Sequence, residues 1–135
     1  MNFVDTSIWI HCLRLSGSGK ILEEIAPLIR GGNVAITDWI ILELMVGLRS
    51  NESPSTLLEF LAPIHRLPIA EDGWGQAWNL AARLRKKGVT TSASDCLIAT
   101  IAIAHEATLI HCDADFELIA KHEKRLQTLD WTKLL

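Results

Sequence analysis

The chain of 135 residues is 49% hydrophobic and 21% charged, which excludes a disordered segment and suffices to bury a core without staples. Thirteen Lys and Arg against 16 Asp and Glu give a net charge of −3, which excludes nucleic-acid binding by bulk positive charge alone. Cys12, Cys96 and Cys112 are too few and too widely spaced for a structural zinc site, and no apolar stretch is long enough to span a bilayer. The cysteines read as reduced, apolar packing groups. Residues 1–135 show no repeat, linker or low-complexity run and read as one domain. With no basic leader before Asn2, the expected location is the cytoplasm.

Asn2 to Val4 reads as a short opening strand, with Thr6 and Ser7 as possible helix starters. Ile21, Leu22, Ile25, Leu28 and Ile29 are spaced for a helix over Lys20 to Arg30, stopped by Gly31-Gly32. Asn33 to Ile36 reads as a strand, and Thr37 or Asp38 caps a helix expected to reach about Arg49. Ser53-Pro54 opens a helix through Leu57 to Ala62. Ile64 to Ile69 is strand-like but carries a proline, which assigns it to a sheet edge. Trp74 to Lys87 reads as a helix ended by Gly88, and Ser92 or Ser94 caps the next one, which runs to about His105. Thr108 to Cys112 is a strand, Phe116 to His122 a short helix and Leu126 to Leu129 a last strand. This alternation predicts a three-layer α/β/α sandwich with a mainly parallel sheet of roughly five strands.

In such sheets ligands bind beyond the C-terminal strand ends, where Asp5 and Asp113 directly follow their strands. Asp95 lies in the first turn of its helix and should face the same rim. Glu43 interrupts the apolar run from Trp39 to Val46, so it needs either solvent or a partner. Each has an ordinary alternative: Asp5 as a helix cap, Asp95 as a dipole partner, Glu43 as a solvated face residue, Asp113 as a turn residue. Taken together, converging carboxylates point to a divalent-metal site, because hard oxygen ligands select magnesium, manganese or calcium.

Four segments carry a family resemblance: Val4-Asp5-Thr6-Ser7-Ile8-Trp9, Thr37 to Arg49 around Glu43, Ser94-Asp95-Cys96-Leu97-Ile98-Ala99, and Ala107 to Phe116 with its Asp113-Ala114-Asp115-Phe116 sequence. Their order and spacing along essentially the whole chain resemble a PIN domain, and within that superfamily the toxin ribonucleases of VapBC toxin–antitoxin systems. The resemblance implies an endoribonuclease dependent on Mg2+ or Mn2+. Asp5, Glu43, Asp95 and Asp113 take the catalytic places, with Asp5, Asp95 and Asp113 on the metal. Asp115 is implied as a further contributor, and Ser7, with Thr6 as its rival, as a hydroxyl near the metal. Arg49 is expected to approach the groove. The partners implied are RNA, a cognate antitoxin whose tail presents an Arg to the acidic cluster, and a second copy of the chain in a homodimer or higher oligomer. The rival from another class is a catalytically inactive PIN-like module that only binds RNA or protein. A haloacid-dehalogenase phosphatase is rejected because Ser7 stands where its second Asp is required, and a receiver domain because Asp5 stands alone.

Overall fold

A computed structural model describes residues 1–135. Five strands, β1 (Asn2–Val4), β2 (Val34–Ile36), β3 (His65–Arg66), β4 (Thr108–His111) and β5 (Gln127–Asp130), form one sheet in the order β3-β2-β1-β4-β5. Every neighbouring pair is parallel, so the expected mainly parallel sheet is wholly parallel. Seven helices supply the crossovers that parallel pairing demands: α1 (Thr6–Leu13), α2 (Gly19–Arg30), α3 (Asp38–Val46), α4 (Pro54–Leu61), α5 (Gly73–Lys86), α6 (Ala93–Ala104) and α7 (Ala114–His122). A 3-10 turn, Thr132–Leu134, ends the chain.

The strand order places the site. From β1 the chain moves outward through β2 to β3, then returns to the other side of β1 to lay down β4 and β5. The connections leaving β1 and β4 therefore diverge, which opens the crevice characteristic of a topological switch point. Asn2 pairs with Thr108 and Val4 with Ile110, so Asp5 and the Cys112-Asp113 corner emerge side by side at one rim.

Several element ends differ from expectation for identifiable reasons. Helix α3 stops at Val46, not near Arg49: the Gly47 N–H makes the last i→i−4 bond, to Glu43, and the Leu48 N–H tightens onto the Met45 carbonyl three residues back. The expected strand Ile64 to Ile69 contracts to His65–Arg66 at the sheet edge: Leu67 donates its N–H to Ile36, and Pro68 beyond it has no N–H to give. Helix α7 starts at Ala114, ahead of Phe116, because Asp113 caps it. Gly32 and Gly88, which end α2 and α5, sit at φ of 69° and 79°, a conformation that glycine adopts without the cost a Cβ brings.

The core is one cluster of 32 buried apolar residues, built on β1, β2, β4 and α6. Helix α6 is buried all round from Cys96 to Ala102, which explains why its sequence reads as a continuous apolar run. The three cysteines are free. No helix is long and apolar enough to cross a membrane.

Candidate active site

Asp5 reaches the rim as the N-cap of α1. Its Oδ2 accepts the Ser7 main-chain N–H at 3.0 Å and the Ser7 hydroxyl at 2.6 Å. Ser7 in turn accepts the Cys112 N–H at 3.1 Å, which ties the end of β1 to the end of β4. Capping uses one carboxylate oxygen only. Both Ser7 bonds fall on Oδ2, which leaves Oδ1 the oxygen not engaged by Ser7. Asp113 repeats the arrangement on α7, its Oδ1 accepting the Asp115 N–H at 2.9 Å and its Oδ2 left free. For both residues the cap and the site are therefore compatible readings of one side chain.

Asp95 comes from the first turn of α6, where Ser92 is the cap. Carboxylate oxygens of Asp95, Asp113 and Asp115 lie within 4.8 Å of one another, a spacing suited to a shared cation. At an effective dielectric of about 20, each such pair of charges repels by roughly 3–4 kcal/mol. Burial and the neighbouring charges of Asp113, Asp5 and Asp115 push the Asp95 carboxyl up to about 7. Burial also raises the Asp5 carboxyl, although its Ser7 hydrogen bonds pull the other way. None of the protein's ion pairs involves these residues; the arginines that pair go to Asp38 and Glu123. The cluster's negative charge is thus uncompensated by side chains, and all-oxygen donors of this kind suit a hard divalent cation.

Glu43 is held at the flank of this cluster, close enough for its charge to act on Asp5. Thr6 donates its hydroxyl to Oε1 and Ser94 donates its own to Oε2, both at 2.9 Å. Ser94 also accepts the Trp39 indole N–H at 2.9 Å. Trp39 and Glu43 stand four residues apart on α3 and so share a face. Three elements, α1, α3 and α6, thereby fix one carboxylate.

Ser7 and Thr6, which the sequence left as rivals, have separate tasks: Ser7 serves Asp5 and Thr6 serves Glu43. Asp115, implied only as a contributor, belongs to the tightest carboxylate group, whereas Asp5 stands beside it. Arg49 is not gathered into the site. It lies exposed beyond the end of α3, its N–H bonded to Glu52. The arginine that lines the cleft with Thr6 and Glu43 is Arg14, which donates to the Gly47 carbonyl at 3.2 Å. The basic run on α5 has structural partners: Arg83 pairs with Glu123, and Lys87 donates to the His122 carbonyl that ends α7. Ser94 and Trp39 were not singled out as functional from sequence, because a serine near a helix start reads first as a cap and a tryptophan as packing.

The profile of the PIN domain family matches residues 3–122 of the chain. Ribonuclease VapC11 of Mycobacterium tuberculosis is 31% identical over 124 residues, covering 90% of this chain and 92% of the relative. Ribonuclease VapC21 of the same organism is 29% identical over 114 residues, covering 82% and 81%. Among solved structures, VapBC2 from Rickettsia felis bound to a promoter DNA fragment contains a chain superposing with a TM-score of 0.78 at 22% identity, over 96% of this chain and 98% of that one. FitAcB from Neisseria gonorrhoeae gives 0.79 at 20%, over 96% and 97%. At these identities the structures establish a shared fold.

Proposed function

The chain belongs to the PIN domain family, and from that premise we propose that it is a metal-dependent endoribonuclease, the toxin of a VapBC-type toxin–antitoxin pair acting in the cytoplasm. The observation that carries this reading is the set of uncompensated carboxylates at the switch point of the sheet. Asp95, Asp113 and Asp115 would hold Mg2+ or Mn2+, with Asp5 contributing its Oδ1 from the adjoining cap. When bound, the ion would supply charge neutralisation for the phosphodiester and activation of a water.

The chain's own groups do the rest. Glu43, restrained through both oxygens by Thr6 and Ser94, keeps lone pairs free to orient the attacking water and accept its proton. His111 is not available as the base. Nearest of the histidines to the cluster in sequence, it is fully buried with both ring nitrogens engaged. The RNA backbone must enter an acidic rim, which makes ion loading a condition of substrate binding as well as of chemistry.

Relatives solved as VapBC assemblies support an antitoxin partner. Next to the site, an apolar groove of about 490 Å³ lined by Cys12, Leu13, Leu48, Leu57 and Phe60 adjoins the cleft of Thr6, Glu43 and Arg14, and offers a bed for its tail. We place a second copy of the chain among the partners, as a homodimer or higher oligomer.

Antitoxin-free protein incubated with structured RNA should cut it internally when Mn2+ or Mg2+ is present, and should stop when EDTA removes the ion. Asp113→Asn and Glu43→Gln should each abolish cutting while leaving the protein folded. RNA that is bound but left intact with every divalent ion would instead establish the binding-only module.

A further inference from the structure

The corner that delivers Asp113 and Asp115 is organised around a side chain outside the carboxylate set. His111, the last residue of β4, is completely buried. Its Nδ1 accepts the main-chain N–H of Asp113 at 3.1 Å. An accepting Nδ1 fixes the ring as the Nε2–H tautomer, so Nε2 donates to Glu117 Oε1 at 2.9 Å. The ring packs at 57° against Phe116, with centroids 5.2 Å apart. The His111 carbonyl accepts the Trp131 N–H at 2.8 Å.

Each contact restrains something the acidic group needs. The Nδ1 bond sets the main chain of Asp113, and with it the direction in which its carboxylate leaves the strand. The Nε2 bond and the Phe116 contact reach the first turns of α7, the helix that carries Asp115. Glu117 is nearly half exposed, so the ring links the interior of the corner to a surface carboxylate. An apolar residue of similar size would fill the same space and leave the Asp113 N–H without its acceptor, free to turn the peptide.

We propose that His111, oriented by Glu117, is a positioning residue that sets the Asp113 main chain and holds the Asp113 and Asp115 carboxylates at cation spacing. The proposal rests on the metal site argued under Proposed function. His111 touches neither the ion nor the RNA and acts through the strand-to-helix corner alone.

The two ring nitrogens can be tested apart. In His111→Asn the side-chain oxygen falls near the position of Nδ1 and can still accept from Asp113. In His111→Gln the amide N–H falls near Nε2 and keeps only the link to Glu117. Mn2+ affinity of the intact protein, read by electron paramagnetic resonance, should stay within about threefold of wild type in His111→Asn and weaken by about 10-fold or more in His111→Gln, the usual scale for losing an outer partner of a metal ligand. The kcat for RNA should follow the same order at unchanged KM. Equal losses in the two variants would assign the residue to packing and overturn the proposal, as would wild-type affinity in His111→Gln. Should neither variant fold, Glu117 decides: a drop in Mn2+ affinity for Glu117→Ala that Glu117→Gln largely recovers supports the proposal, and an unchanged Glu117→Ala overturns it. Wild-type protein that binds no Mn2+ would overturn the metal site together with this inference, whereas wild-type binding with unaffected variants would overturn the inference alone.

Discussion

Replacing Asp95 with asparagine is expected to abolish RNA cleavage while making the metal-free protein more stable at pH 8. Activity should fall by about 10³-fold or more, the consequence of losing several kcal/mol of transition-state charge stabilisation through the ion. Stability should move the other way because burial and the charges of Asp113, Asp5 and Asp115 hold the Asp95 carboxyl at about 7, against an ordinary 3.8. Between those values the folded protein keeps a proton that the unfolded chain releases, so stability falls as pH rises through the window. Above it the full cost is present. Asparagine removes the charge and with it a penalty on the order of 1–2 kcal/mol after screening, larger than the roughly 0.3–1 kcal/mol of helix-dipole attraction also given up. Thermal unfolding in EDTA should place Asp95→Asn about 3–6 °C above wild type at pH 8 and near it at pH 4. A variant that melts with or below wild type at pH 8 would mean that the carboxylates do not strain one another.

Trp9→Ala is expected to have the largest effect on stability, about 3–5 kcal/mol, a large share of what a domain of this size possesses. Trp9 is completely buried on α1, its indole N–H donates to the Val4 carbonyl at 3.0 Å, and its edge meets Phe60 at 6.2 Å. Truncation opens a cavity under the helix that carries Thr6 and Ser7, and it strips a hydrogen bond from the end of the strand that presents Asp5. Urea unfolding should show the midpoint falling sharply at an unchanged slope. Trp9→Phe keeps most of the volume and loses only the N–H, so its cost should be nearer 1–2 kcal/mol. If Trp9→Ala cost less than about 1 kcal/mol, the packing of α1 on the sheet would be wrong as described.

How much of this was legible in the sequence depended on whether a feature was local. Strands β1, β2 and β4 and most helices were readable from apolar runs and from punctuation such as Ser53-Pro54 and Gly88. The ends that moved were set by tertiary bonds: Leu67 to Ile36 for β3, and the Gly47 turn that ended α3 and left Arg49 outside the site. The acidic residues were conspicuous because an Asp after a strand and a Glu within an apolar helix are both costly. What composition could not reveal was their company. That Ser7 serves Asp5 while Thr6 serves Glu43 follows from which way each hydroxyl leaves the first turn of α1. Ser94 acts through a partner 51 residues away, which no short-range signal carries, and the His111 contacts, though local, depend on the turn from β4 into α7. The tryptophans divided likewise: Trp9 is core, whereas Trp74 and Trp78 are exposed at 51% and 66%.

A crystal grown with Mn2+ and measured at a wavelength where manganese scatters anomalously locates the ion without reference to activity. The expected result is a strong anomalous peak among the carboxylates of Asp95, Asp113 and Asp115, with Asp5 alongside and Glu43 still held by Thr6 and Ser94. A peak elsewhere, or none at saturating Mn2+, would contradict the claim that these separated side chains together form one cation site.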